Sequence, residues 1–414
     1  MTSPTIASTQ RSPWRHEGFG PFVGSQFVSL IGDRIATLAY VSLAAVAVSE
    51  HSGAAAANVA AVQIVPIILL SYFGGILSDR LNRKWLMWWV DCGRMMIVLA
   101  FVAFFAGREK VTSVYFAVFL LGALSAVFNP AKRSFVPFLV PHSLIRKANW
   151  HVVVSEVSAM ILGIGAGTLL LRAVRPQAAL AFDVLSFAVA LAILSWVPGR
   201  LDQGSAKQTN DVRTEEFRDA WRLMVVDGTL RALFVFLVLP FYLASGLYYA
   251  AATHWAVAQN PGNAGAALGP LFLSLSGGAL VSFVIRRPLE RMGERWSAVF
   301  AFVLGAFALT VQGALGSAGI GIAGPVAAVF GLAMGLTYAR SMYLFQLVAP
   351  SKIIGRVMSV KELIGAVSFA GMIFVTGLFS TFTPAGGWFL ASCLYLLGGV
   401  GMAWSFRQGQ VLIQ

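Results

Sequence analysis

Twelve long apolar segments, separated by short polar turns, decide what this chain can become. They fall near residues 18–49, 56–79, 85–106, 111–138, 143–171, 177–197, 223–256, 264–286, 296–316, 320–346, 353–381 and 385–406. Each approaches or exceeds the roughly 20 residues that a helix needs to cross the hydrocarbon of a bilayer. In hydrocarbon every backbone amide must be paired within the protein, and a helix does this inside its own segment. Only 11% of the 414 residues are charged, against roughly 25% in soluble domains. Such a chain cannot clothe a water-facing surface. The expected fold is an all-α membrane protein with twelve transmembrane helices.

The formal charge is +13, from 30 Lys and Arg against 17 Asp and Glu. Its placement excludes the nucleic-acid reading that such a charge invites. With residue 1 inside, the inner loops hold Arg80, Arg83, Lys84, Lys132, Arg133, Arg146, Lys147, Arg286, Arg287, Arg291, Arg295, Lys352 and Arg356, among others. The outer loops hold only Arg108, Lys110, Arg172 and Arg175. Cytoplasmic loops carry excess Lys and Arg, so both termini are expected in the cytoplasm of a bacterial inner-membrane protein. No basic stripe is interleaved with stacking aromatics, as nucleic-acid binding requires. Cys92 and Cys393 have no metal-ligand spacing. The polar residues 1–17 show no cleavage pattern, so no removable signal peptide is expected.

The one substantial polar stretch, 198–222, separates two sets of six segments. It divides the chain into a tail (1–17), a first six-helix bundle (18–197), this linker, a second bundle (223–407) and a tail (408–414). Within the linker, Phe217, Trp221 and Met224 recur at i, i+4 and i+7. That is either an amphipathic helix on the inner membrane surface or an extension of the seventh span. The halves echo one another. The turn Gly74-Gly75-Ile76-Leu77-Ser78-Asp79-Arg80-Leu81-Asn82-Arg83-Lys84 has a weaker copy in Leu289-Glu290-Arg291-Met292-Gly293-Glu294-Arg295. The proline-marked turn Val140-Pro141-His142-Ser143 has a counterpart in Ala349-Pro350-Ser351-Lys352. Two matches at compatible offsets indicate duplication, which is common in transporters.

On these residues the chain resembles the major facilitator superfamily. Gly75-x-x-x-Asp79-Arg80-x-x-Arg83-Lys84 is similar to that family's signature loop, with Asn82 where a glycine is usual. Ile354-Gly355-Arg356-Val357-Met358-Ser359 resembles its turn into the eleventh span. Gly32-Asp33-Arg34, Asn129-Pro130-Ala131 and Phe182-Asp183-x-x-Ser186-Phe187 resemble the branch holding enterobactin exporters and macrolide efflux pumps. The antiporter glycine-proline motif of the fifth span has no proline here, but Gly163 and Gly167 keep a spacing that permits close helix packing. The resemblance implies two six-helix bundles around a central cavity that opens alternately to each side. It implies a conformational latch in which Asp79 and Arg80 pair across bundles while Arg83 and Lys84 meet lipid phosphates or helix ends.

Ionisable groups inside spans are expensive and are functional candidates by default. Asp33, in the first span, is either a proton-coupling carboxylate, a member of a static ion pair or a substrate contact. A carboxylate in a partly dry cavity can take up and return a proton as its access to water changes. Arg34, beside it, is a substrate-cavity candidate. Glu156, with His151 more than a turn before it, and Glu362, preceded by Lys361, occupy roughly corresponding places in the fifth and eleventh spans; both acids are coupling candidates. Arg340 offers a planar fork to carboxylates or snorkels to headgroups. Asp91 and Arg94 stand at i, i+3 and are expected to support the loop motif. Tyr242, Tyr248, Tyr249, His254 and Trp255 of the seventh span suit either a large amphipathic ligand or the membrane interface, the latter fitting His254-Trp255 better. Gln26 and Gln63 are further cavity candidates. Trp85, Trp88 and Trp89 read as an aromatic belt.

No phosphate-cradling loop, nucleophile elbow or H-E-x-x-H pair occurs, so neither an enzyme nor an ATP-driven pump is expected, and no cofactor or metal is implied. The reading is a monomeric secondary exporter of a drug-like or siderophore-like small molecule, with protons and membrane lipids as further partners. A lipid or lysolipid transporter, a proton-independent facilitator and a non-transporting receptor or scaffold stay open as alternatives.

Overall fold

The structure is a computed structural model that describes residues 12–48, 52–105, 110–198, 221–290, 293–316, 318–349, 354–379 and 382–407. Twelve helices are long and apolar enough to cross a membrane, one for each apolar segment. They are α1 (Phe19–Val46), α2 (Ser52–Arg80), α3 (Arg83–Phe105), α4 (Val111–Leu139), α5 (Ile145–Ala173), α6 (Pro176–Ser195), α7 (Gly228–Gln259), α8 (Ala264–Glu290), α9 (Glu294–Leu315), α10 (Ile320–Val348), α11 (Ile354–Gly377) and α12 (Pro384–Arg407). Large apolar side chains such as Phe104 (77% exposed) and Val400 (68%) cover the outside, the inverse of a soluble protein's surface. Here the solvent is lipid.

The seventh span starts later than hydropathy suggests. Residues 221–226 are helical, and the helix breaks at Asp227. The Asp227 carboxylate accepts the Leu230 amide at 2.8 Å and caps α7, as a short acceptor before a helix does. Of the amphipathic triplet, Phe217 lies outside the described residues, Trp221 is exposed and Met224 is buried.

The same helix pairs pack in each half. α2 lies on α4 as α8 lies on α10; α1 meets α5 and α6 as α7 meets α11 and α12. Glycines make the tightest of these contacts. A Cβ on Gly74 or Gly122 would strike the Ala126 or Gln63 carbonyl across α2–α4, and one on Gly278 or Gly331 would strike the Ala328 or Leu275 carbonyl across α8–α10. Close backbone approach is how helices associate in lipid, where burial of apolar surface supplies no drive. Prolines use these gaps. Pro130 deprives the Ala126 carbonyl of its i+4 donor, and Gly74 leaves that oxygen room. Pro240 does the same to Phe236, whose carbonyl faces Gly398 of α12 within a π-turn, Phe234–Val238. Gly163 and Gly167 bring α5 onto Ile31, Arg34 and Ile35 of α1.

The halves seal against each other at the face opposite the α2–α3 turn. Ser42 of α1 donates to the Asn263 side-chain oxygen at 3.0 Å and accepts the Gly265 amide at 2.7 Å. The Asn263 amide donates to the Leu171 carbonyl at the end of α5. Ala57 and Ala61 of α2 pack with Ala250 of α7 and Ala370 and Ile373 of α11.

Gly331→Leu is expected to lower the melting temperature of the detergent-solubilised protein, because overpacking costs about 1–3 kcal/mol. Gly165→Ala, at a position with nothing within 4 Å of the added Cβ, is expected to leave it unchanged or slightly raised. Equal melting shifts in the two variants would contradict the glycine-contact account.

Candidate functional site

Helical repetition gathers polar side chains on the inner faces of the first half. α1 turns Gln26, Ser29, Asp33, Thr37 and Tyr40 to one side at three- or four-residue spacing, with Arg34 at the stripe's edge. α4 does likewise with Ser125, Asn129 and Lys132. With Gln63 of α2, Arg94 of α3, Glu156 of α5 and Asp183 of α6, they line a cavity of ≈ 450 Å³. The structure therefore brings Gln26, Asp33, Arg34, Gln63 and Glu156 around one space, all from the first half.

Two ion pairs order this chamber. The Lys132 ammonium lies 2.6 Å from Glu156 Oε1 and donates to it, joining α4 to α5. Sequence reading puts Lys132 in a loop. α4 runs on to Leu139, so Lys132 stands about two turns inside the helix. The polar i, i+3/i+4 stripe through Ser125, Asn129 and Lys132 was the available signal. On α3, Arg94 pairs with Asp91 at 3.2 Å, donates to Ser125 at 2.9 Å and stacks 4.4 Å over the Phe128 ring. Both members are buried, Asp91 to 1% exposure. Asp183, also 1% exposed, receives a 3.4 Å contact from Ser186 at its Oδ1. Gly32 makes this approach possible, since a side chain there would collide with both Asp183 and Ser186. Arg34 Nε is buried without a hydrogen-bond partner among the described residues.

A second cluster forms in the other half. Tyr242 of α7 donates its hydroxyl to Glu362 Oε2 at 2.6 Å, and Lys361 Nζ lies 3.0 Å from Oε1. Lys361 has no exposure at all. Its ammonium donates to Ser341 at 3.4 Å and sits 5.2 Å from the Tyr338 ring centre. Gly365 leaves the slot that the Tyr242 ring occupies.

The other candidates are dispersed. Arg340 is buried at 7% exposure. Tyr248 stacks on Phe330 at 4.6 Å, and its buried hydroxyl has no hydrogen-bond partner among the described residues. His151 packs edge-on against Trp14 near the start of α5, away from the chamber. His254 meets Phe382 and Gly53 at the seal between halves. Trp255 is 2% exposed and donates to the Ala318 carbonyl, so it faces protein, whereas its sequence suggested the membrane interface. Trp85 and Trp89 are exposed. In the loop motif, Gly75 accepts from Ser78, and Arg80 is exposed. Arg83 donates to Ser134 at 2.9 Å and covers the Phe138 ring, and Lys84 donates to the Ser195 carbonyl at the last turn of α6. A cation there suits the negative end of the helix dipole. The side chains of Asp79, Glu290, Arg295 and Arg356, and residues 291–292, fall outside the described residues.

Residues 22–370 match the family model described as Major Facilitator Superfamily. A curated relative is the uncharacterized MFS-type transporter YfiS of Bacillus subtilis (strain 168), 25% identical over 183 residues, which are 44% of this chain and 42% of that protein. The chain thus matches less than half the length of that relative. Among solved structures, an auto-inhibited POT family peptide transporter superposes with TM-score 0.72 at 14% identity, covering 94% of this chain and 97% of its own. The nucleoside transporter NupG superposes with TM-score 0.68 at 10% identity, covering 94% and 99%. At such identities the similarity is one of fold.

Glu156→Gln is expected to lower thermal stability by stranding the Lys132 charge, and adding Lys132→Met is expected to recover most of the loss. The coupling in a double-mutant cycle should be about 1–2 kcal/mol, between the values for exposed and fully buried pairs. Strict additivity would show that the pair contributes nothing.

Proposed function

We propose a function from one premise: this chain belongs to the major facilitator superfamily and is a membrane transporter of that type. In our reading it is a secondary exporter of a drug-like or siderophore-like small molecule, driven by protons moving the other way. It works by alternating access, as a monomer, in a bacterial inner membrane with both termini in the cytoplasm.

The observation that carries this reading is the chamber itself. Asp33 and the Lys132–Glu156 pair, all on helices long and apolar enough to span a membrane, lie beside a space of ≈ 450 Å³. That volume lies in the range of small-molecule sites, roughly 300–1,000 Å³. Gln26, Gln63, Asn129, Ser125 and Thr37 supply hydrogen-bonding groups along its wall, with Arg34 beside them. These suit an oxygen-rich or amide-rich solute.

Antiport requires that proton and substrate compete. Glu156 provides a physical basis for this. When it is ionised, Lys132 or a basic or donor group of the substrate satisfies it. When it takes a proton, its attraction for either falls. Substrate and proton then favour opposite orientations of the two halves, and each shifts the equilibrium only by its differential affinity for the two states. The face sealed by Ser42, Asn263 and Gly265 is the one that must open for release. Arg83 and Lys84 hold the ends of α4 and α6 to α3, so the first half moves as one body. Asp79 and Arg80 are assigned the latch that closes the opposite face, and Glu362 with Tyr242 the corresponding acid of the second half.

A screen for efflux in cells lacking their own pumps, with and without a protonophore, should identify a transported compound. In sealed vesicles with an imposed pH gradient, Asp33→Asn and Glu156→Gln are then each expected to slow its transport by about tenfold or more, each factor of ten being ~1.4 kcal/mol of barrier. Undiminished pH-driven transport in both variants would reject the coupling assignment. Ligand binding without flux would reject transport itself.

A further inference from the structure

The charged groups around the chamber differ in what they have left to offer. Lys132 is bound to Glu156, and Arg94 to Asp91. Asp183 is on the wall but only 1% exposed, so it gives a solute almost no surface. Asp33 and Arg34 stand apart. Both line the chamber and both are half-buried. Among the described residues, neither takes part in a salt bridge, with the other or with a third group.

Helix geometry explains why these neighbours do not neutralise each other. Consecutive side chains leave an α-helix about 100° apart, so a carboxylate and a guanidinium at adjoining positions of α1 set out in different directions. Gly163 brings α5 up against the Arg34 Cβ and fixes that side chain at its root. The chamber gains no net sign from the two residues; it gains two poles. Each pole is costly inside a membrane unless a counter-charge or water reaches it.

A third group on the same helix points independently to a bound solute. Tyr40 lies seven residues after Asp33, on the same face and about 10 Å further along α1. Its ring is held edge-on by Phe101 at 5.5 Å. Tyr40 lines the chamber and is 2% exposed, and its hydroxyl has no hydrogen-bond partner among the described residues. An unsatisfied buried hydroxyl is costly, and a polar group of a solute lying along α1 removes that cost.

We propose that the chamber takes a zwitterionic solute, one that carries a protonated amine and a carboxylate on a body of drug-like size. Asp33 receives the amine. Arg34 receives the carboxylate, for which its planar fork of donors is suited. Tyr40 shares a hydrogen bond with a neutral polar group of the same solute, such as an amide. A solute with a single charge leaves one pole unanswered, and a neutral one leaves both. Lys132 and Glu156 do not discriminate in this way, because each already has its counter-charge. The assignment names a substrate class for the chamber and rests on the reading of that chamber as a transporter's substrate site.

The test uses N-(ω-aminoalkanoyl)-4-aminobenzoic acids with alkanoyl chains of two to six carbons. Each is compared with its methyl ester, which keeps only the amine charge, and with its N-acetyl derivative, which keeps only the carboxylate. Binding to the detergent-solubilised protein is read as the concentration dependence of its melting temperature. The best zwitterion should bind about tenfold or more tightly than either blocked relative, the worth of one hydrogen-bonded charge. Asp33→Asn should reduce it to the affinity of the N-acetyl compound and leave that compound's own affinity unchanged. Arg34→Gln should reduce it to the affinity of the ester and leave the ester unchanged. A merely structural role would instead weaken all three compounds alike, and that result overturns the assignment. So does a series in which no zwitterion outbinds its blocked relatives on the wild type, a comparison that needs no variant to fold. The same compounds are then followed into sealed vesicles. Selective binding of the zwitterion without flux rejects transport and leaves the site standing, whereas flux that is equal for all three compounds keeps transport and rejects the substrate class.

Discussion

The cost of charge in a medium without water governs this molecule. A helix satisfies its own amides in hydrocarbon but cannot satisfy a lysine or an aspartate. An ionisable group within a span is therefore far better placed beside a partner or an opening to water. That preference turns the faces of α1, α4 and α5 bearing Asp33, Lys132 and Glu156 inward. It also holds α3 in register with α4 through Arg94 and Ser125. The glycine contacts then bring the backbones close enough for these short side chains to meet. Packing and electrostatics are the same constraint seen twice: without Gly32 there is no room for Asp183 beside α1.

The two halves share the scaffold and differ in the chemistry mounted on it. Gly74 and Gly122 on α2–α4 have their counterparts in Gly278 and Gly331 on α8–α10. The ion pairs do not correspond in the same way. Lys132 and Glu156 sit on different helices and leave Glu156 partly exposed to the chamber. Lys361 and Glu362 are neighbours on one helix, with the lysine wholly enclosed and the acid also held by Tyr242. Each pair lies within one half, so motion of the halves as rigid bodies leaves both together; they differ in that Lys132 is partly accessible and Lys361 is enclosed.

How much of this was legible in the sequence follows from the physics of each feature. The twelve spans were legible because hydropathy is a sum over about 20 residues and tolerates local exceptions. Asp33, with Arg34 beside it, and Glu156 were legible as charges within apolar segments. Lys132 was not, because it follows Pro130 and lies next to Arg133, a combination that reads as a turn. The helix continues there because a glycine on α2 accommodates the carbonyl freed by the proline, a fact about a partner some fifty residues away. Asp183 was visible only as part of a family-like pattern, since nothing local tells which acid the neighbouring helices will enclose. Asp227 shortened the seventh span through one side-chain hydrogen bond, a contribution too small to register in any hydropathy average.

The seal between the halves has a strength suited to being broken. It includes hydrogen bonds among Ser42, Asn263, Gly265 and the Leu171 carbonyl, with an alanine-rich contact beside them. Each such hydrogen bond contributes about 0.5–1.5 kcal/mol net. Their combined share is a few kcal/mol, comparable to what a ligand can supply through unequal affinity for two states. Cross-half ion pairs in a dry interface would cost more to separate than most ligands return. Inside the first half the opposite holds: Arg83, Lys84 and Arg94 tie α3 to α4 and α6 with charged donors. Strong contacts within a half and weak ones between halves are what a rocking motion of two rigid bodies requires.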